Sequence, residues 1–161
     1  MLTAQVEDWN GGPADLRSLI PLHYEDLSLH KGRGFPLSPQ WGVYGAKDTV
    51  GGLTYCTLRR DGLLIGYIII FLAPGLHYDT CLTGMTDIFF ISPGERGGTG
   101  ALKLFSCAER EMKRRKCKLW IVGSKVHKPA SERLLKAKGF EPADLLWHKW
   151  LEAPQGAKVE D

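Results

Sequence analysis

Two strand-like runs, LTYCTLRR and LLIGYIIIFL, are joined by nothing more than Asp61-Gly62. A two-residue link of this composition forms a primed turn, whose twist matches that of two antiparallel strands. The second run is almost wholly apolar, and both runs read as strands. A chain built around such a hairpin is neither a helical bundle nor an all-parallel sheet. The same region bounds membrane insertion. The longest uncharged run, residues 63–76, contains Pro74 and is shorter than the roughly 18–20 apolar residues a helical span needs.

Around the hairpin the pattern alternates. Residues 4–9 suit a short first strand. Pro13 opens a helical stretch with Leu16, Leu19, Ile20, His23 and Leu27 on one face, which Pro21 should kink or split. Residues 31–52, rich in Gly and Pro with Phe35, Trp41 and Tyr44 interspersed, read as a long loop with a helical turn. A third strand is expected over 82–92, ending at Pro93. Next come the turn ERGGTG and a helix carrying Ala101, Leu104, Phe105, Ala108 and Met112. LWIVG reads as a buried strand, a second helix runs from Pro129 to Gly139, and 145–151 reads as a last strand. One domain over 1–152 is expected, with 153–161 a disordered tail.

With 161 residues, 43% of them hydrophobic, the chain can bury a core and is not disordered as a whole. The first ten residues carry two acids and no basic-then-apolar order, so no signal peptide is visible and a cytoplasmic location follows. Cys56, Cys81, Cys107 and Cys117 form no Cys-x-x-Cys pair, which points to free thiols and no metal. The net charge of +3 conceals an asymmetry. Residues 96–149 hold fourteen Lys/Arg against five Asp/Glu, and the remainder holds seven against thirteen. An anionic ligand on the C-terminal half and a cationic one on the N-terminal half would suit that split.

The turn Arg96-Gly97-Gly98-Thr99-Gly100-Ala101 joins a strand end to a helix start. The first amides of a helix lack internal partners, and glycines let an anion approach them, so this turn is a ready phosphate cradle. It is neither the dinucleotide pattern G-x-G-x-x-G nor a P-loop.

In its surroundings the turn is more specific. DIFFISPGERGGTGALKLFSCAE resembles the acyl-CoA-binding segment of the GNAT N-acetyltransferase family, whose pattern is Arg/Gln-x-x-Gly-x-Gly/Ala after a strand with an apolar residue two positions before Pro. Ile91, Pro93, Arg96 and Ala101 match, while Thr99 departs from the usual middle glycine. RLLKAKGFEP resembles the family's second motif and RRDGLLIGY its hairpin. The chain is most similar to the short acetyltransferase-like proteins encoded by tailed phages. The implied fold is α/β: the GNAT fold, a mixed, mostly antiparallel central sheet with helices on both faces and a glycine-rich acyl-CoA pyrophosphate turn.

The resemblance implies that acyl-CoA inserts beside the splayed third strand. The amide of Phe89 would hold the acetyl carbonyl, and Ile91 would bond the pantetheine arm. Arg96 and the amides of Gly97, Gly98, Thr99, Gly100 and Ala101 would hold the pyrophosphate. Lys128, Arg133 or the basic helix 110–118 would meet the adenosine phosphate. The family often protonates the leaving thiolate with a tyrosine; the matching position here is Leu135.

Acetyl transfer needs a neutral amine, hence a base. Alternation places Asp87 on one face with Phe89 and Ile91, in a partly apolar cleft that would raise its pKa. His77 and Tyr78, at the turn before the strand, would reach the same cleft. Tyr24, Glu25, Trp41 and Tyr44 fall where the family builds its acceptor wall, although Glu25 also reads as solvated and the aromatics as packing. The implied activity is direct transfer from acetyl-CoA, without a metal, to a primary amine such as a protein lysine, an N-terminus or a small amine. The competing reading is a catalytically weak acyl-CoA-binding or protein-interaction module. A nucleic-acid partner ranks last, because 110–118 lacks interleaved aromatics. A single last strand would leave an edge for a second copy to cover, as in a homodimer.

Overall fold

A computed structural model describes residues 1–126 and 128–151. Five strands form one sheet in chain order: β1 (Leu2–Glu7), β2 (Leu53–Arg60), β3 (Leu63–Gly75), β4 (Tyr78–Ile91) and β5 (Leu119–Ile121). The first four are antiparallel neighbours and β5 is parallel to β4. The helices are α1 (Ala14–Leu27), α2 (Trp41–Thr49), α3 (Gly100–Arg114) and α4 (Pro129–Ala137). This is the mixed α/β arrangement expected of the GNAT fold.

The β2–β3 hairpin turns at Asp61 and Gly62, both with positive φ (49° and 84°), as a type I′ turn requires. Alternation along β2, β3 and β4 separates two cores. On one face Tyr55, Tyr67, Ile69 and Phe90 pack with Trp9 and Leu16 beneath α1 and α2. On the other, Ile68, Ile70 and Ile91 meet Leu104, Phe105 and Met112 of α3 and Leu135 of α4. Each buried aliphatic or aromatic side chain contributes about 1.5–3 kcal/mol of transfer free energy, so both faces hold the sheet.

Four expectations need correcting. Pro21 does not divide the first helix: α1 runs through it, with the proline ring exposed. The region 31–52 holds a nine-residue helix, α2, rather than a turn. LWIVG is not a buried strand. Only Leu119–Ile121 is extended, Leu119 and Ile121 are exposed, and Trp120, packed on Phe105 and Phe140, turns inward with Val122 while only half-buried.

Residues 145–150 form no strand. A strand there would have only the three-residue β5 to pair with, too short a ladder to hold it. Trp150 instead stacks on Phe35, 5.8 Å away, beneath the Arg33 guanidinium, while Leu146 and Trp147 are 88% exposed. The exposed sheet edge expected at 145–151 therefore falls on β5. The expected tail, 153–161, lies outside the described residues. Among the described residues, no helix is long and apolar enough to cross a membrane.

Candidate active site

β5 accompanies β4 only from Thr83 to Met85, so β4 continues past its neighbour for six residues, roughly 20 Å. The Ser92 N–H donates to the Ile65 carbonyl on β3. Strand period two then turns the backbone groups of Phe89 and Ile91 toward the opposite, β5 side, where the strands have separated. Arg96 confirms that direction, since its Nε donates to the Ile91 carbonyl at 2.8 Å. The side chains of Phe89 and Ile91 point into the α3 core, as bulky residues would in any such sheet. The slot is thus a backbone feature.

Past β4, a 3-10 turn at Pro93–Glu95 leads through Gly97, with φ +90°, to the start of α3. Among the described residues, nothing accepts a hydrogen bond from the N–H groups of Gly97, Gly98, Thr99, Gly100 or Ala101. A Cβ added at Gly97 or Gly98 would meet no atom within 4 Å, so the side-chain side of the turn is open at both positions. Gly100 serves packing instead: a Cβ there would lie 2.9 Å from Leu58 Cδ2. Orphan amides at the positive end of a fifteen-residue helix fit a diphosphate.

Two cations near this turn are already paired. Arg96 Nη2 and Lys128 Nζ both donate to Asp26, on the last turn of α1, the lysine at 3.2 Å. The Arg96 hydrogen bond, ahead of the Lys128 one, holds the Asp26 carboxyl below its ordinary range. One turn earlier His23 stacks on Phe90 (ring centroids 4.8 Å apart), with Nδ1 2.7 Å from the Tyr67 hydroxyl. Burial lowers its pKa to about 4, so the imidazole is neutral at pH 7. Neither Asp26 nor His23 was a site candidate in the sequence. The signal was present: His23 lies on the apolar stripe of α1, and Asp26, three residues on, shares its side. Glu25 is rotated away and pairs with Lys31 in solvent.

Asp87 is not on the face predicted. Ile69 pairs with Ile88 but Ile70 pairs with Thr86, so Asp87 is the extra residue of a β-bulge. The bulge breaks alternation and puts Asp87 on the α1/α2 face, opposite the side chains of Phe89 and Ile91. There its Oδ2 accepts a 2.6 Å hydrogen bond from the Tyr44 hydroxyl. Asp87 is exposed, so the desolvating cleft expected around it is missing.

Tyr44 packs on Trp9 (5.2 Å) and Phe71 (5.5 Å), and burial first, then Asp87, raises its pKa. Trp41 is a packing residue, pressed on Gly12 and Trp9 with Arg17 over its ring. The Tyr24 hydroxyl donates to the Phe35 carbonyl, at 3.4 Å. His77 and Tyr78 are exposed at the far tip of the β3–β4 hairpin, about nine residues or roughly 30 Å from Asp87. They do not reach the cleft. Leu135 is buried in the α3/α4 core and offers no proton donor.

No protein-family model matches the sequence, and no curated protein matches it. Solved structures do match its fold. A ribosomal-protein-alanine N-acetyltransferase from Brucella melitensis biovar Abortus 2308 superposes with TM-score 0.65 and 14% identity, covering 94% of this chain and 98% of that one. A predicted acetyltransferase from Clostridium acetobutylicum, solved with acetyl-CoA, gives 0.63 and 19%, with 95% and 96% covered. A transcriptional regulator from Bacillus halodurans C-125 gives 0.71 and 17%, with 92% and 100% covered. At these identities the likeness establishes the α/β fold of the N-acetyltransferases, and the chemistry must be argued from this chain's residues.

Proposed function

We propose that the chain is an acetyl-CoA-dependent N-acetyltransferase that passes the acetyl group directly to a primary amine. The observation that carries this reading is the combination at the end of β4. An unaccompanied strand edge leads straight into five amides at a helix start that have no partner among the described residues. One extended, thioester-bearing diphosphate would satisfy both. The Phe89 amide would donate to the acyl oxygen as negative charge develops on it, and a fixed donor does this without reorganising. Ile91 would bond the pantetheine arm, and the turn from Gly97 to Ala101 the pyrophosphate. Lys128 and Arg96 would stand beside those phosphates.

The acceptor amine would arrive on the face covered by α1 and α2, which belongs to the acidic part of the chain. Asp87 would take the ammonium proton or orient the amine, with Tyr44 fixing its carboxylate. The amine nitrogen bonds the acyl carbon, the carbon–sulfur bond breaks, and the thiolate needs a proton. A thiol with a pKa of roughly 8.5 leaves near neutrality without a strong acid, so water or Ser131 would suffice where Leu135 replaces tyrosine. The Cys117 thiol donates to the Leu82 and Leu119 carbonyls and Cys107 is buried, which supports direct transfer without an acyl-cysteine. The resemblance to short phage-encoded relatives is carried by the sequence pattern alone.

The test is CoA release with a panel of small amines and lysine peptides, beside intact mass after acetyl-CoA alone. Release that depends on an amine, with no stable cysteine adduct, is expected. A cysteine adduct that chases onto an amine would overturn direct transfer. Tight acetyl-CoA binding without release would favour the binding-module reading, which Leu135 supports.

A further inference from the structure

Arg96 follows β4 and Lys128 follows β5. Because these strands are parallel, both cations stand at the same end of the gap between them. Asp26 reaches over from α1, on the sheet face opposite α3, and accepts from both. A single carboxylate therefore spans the mouth of the slot. It is mostly buried, with a side-chain exposure of 19%, and both cations are more exposed than it is. Two oxygens, one on a guanidinium and one on an ammonium, reproduce how one phosphate of a diphosphate would bind. Just beyond lie the amides of the α3 turn, which have no such substitute among the described residues.

We propose that Asp26 is an internal stand-in for the diphosphate. It occupies the cation pair that an incoming diphosphate would take, and so sets the affinity of this mouth. The inference rests on the slot being the acyl-CoA site. Asp26 is a positioning residue here: it keeps Arg96 and Lys128 aligned and lets diphosphate enter only by exchange. Exchange of one anionic partner for another preserves pairing of both cations, and the cost of releasing Asp26 subtracts from binding. A merely structural ion pair makes the opposite prediction, since its loss would loosen α1 and weaken binding.

The experiment compares wild-type protein with Asp26→Asn for binding of acetyl-CoA, S-acetylpantetheine and inorganic pyrophosphate by calorimetry. The variant should bind acetyl-CoA and pyrophosphate about tenfold more tightly, while S-acetylpantetheine, which has no diphosphate, should be unchanged. Adding Lys128→Gln to Asp26→Asn should remove most of the gain. Unchanged or weaker acetyl-CoA and pyrophosphate binding in a folded Asp26→Asn protein would overturn the inference and leave the transferase reading standing. A gain for pyrophosphate in a protein that binds no acetyl-CoA would instead overturn the transferase reading. Wild-type protein gives a readout that needs no variant: the Asp26 carboxyl carbon resonance should shift as pyrophosphate is added. A resonance that stays fixed at saturation would reject the exchange.

Discussion

The Tyr44 hydroxyl donates to the Asp87 carboxylate across 2.6 Å, tying the second helix to the residue that β4 leaves unpaired between Thr86 and Ile88. A charge-assisted bond of this kind fixes where the carboxylate points. Asp87→Asn should lower turnover about 100-fold, the usual scale of a general base, with acetyl-CoA binding intact. Tyr44→Phe should cost less and show chiefly as a raised KM for the amine. Steady-state kinetics separate the two, and unaltered kinetics in both variants would reduce the pair to packing.

The glycines of the turn should divide by role. Gly98→Trp meets open space in the free protein, so it should fold and lose acetyl-CoA binding. Gly100→Val drives side-chain atoms into Leu58, which is fully buried, and should destabilise the fold by about 1–3 kcal/mol. Thermal melts and calorimetry on both variants check this. Full acetyl-CoA affinity in folded Gly98→Trp would place the pyrophosphate elsewhere.

His23 should make stability depend on pH. Its folded pKa, about 4, lies below its ordinary 6.5 because burial disfavours the cation, against the smaller opposing pull of Asp26. Between those values the unfolded chain binds the extra proton. The neutral ring's contribution is therefore complete above about pH 6.5 and drains away as pH falls toward 4, a span worth on the order of 3 kcal/mol. Glu7, held at about 2 chiefly by the Arg59 hydrogen bond, is lost in a separate window, from about 4.5 downward. Urea melts from pH 7 to 4 should slope for wild type and flatten for His23→Gln. Parallel slopes would show that another group titrates there.

Pro21 sits inside α1 without an amide to donate, at an exposed position. Pro21→Ala should restore that bond and raise stability by about 1 kcal/mol or more. That corresponds to about 2–4 °C in melting temperature for a chain of this size. A lower melting temperature would mean that the proline sets the angle at which the last turn of α1 carries His23 and Asp26.

The hairpin, the glycine turn and α3 were legible because each is written locally: Asp61-Gly62 demands one turn type, and Leu104, Phe105 and Met112 repeat at helical spacing. The face of Asp87 was not, because a bulge of one residue leaves no mark on composition and reverses every inference drawn across it. The misplaced last strand failed for a related reason. LLWHKWL has strand propensity, but a strand needs an edge of adequate length, and β5 ends at Ile121. His77 looked close to Asp87 along the chain because the extra length of the β3–β4 hairpin was not visible. Nothing local distinguishes Asp26 from Glu25, because its partners, Arg96 and Lys128, lie 70 and 102 residues away.

The parting of β4 from β5 also gives one strand two clocks. Ser92 and the residues in step with it, Phe90 and Ile88, turn their amides into the ladder with β3, so deuterium should enter there only when the hairpin itself opens. Phe89 and Ile91 lie between them in sequence, yet their amides border the gap and should exchange orders of magnitude faster. Fast and slow sites would then alternate residue by residue along the last third of β4. A bound strand-like ligand would erase the alternation, so exchange at two amides would report occupancy without any assay of chemistry.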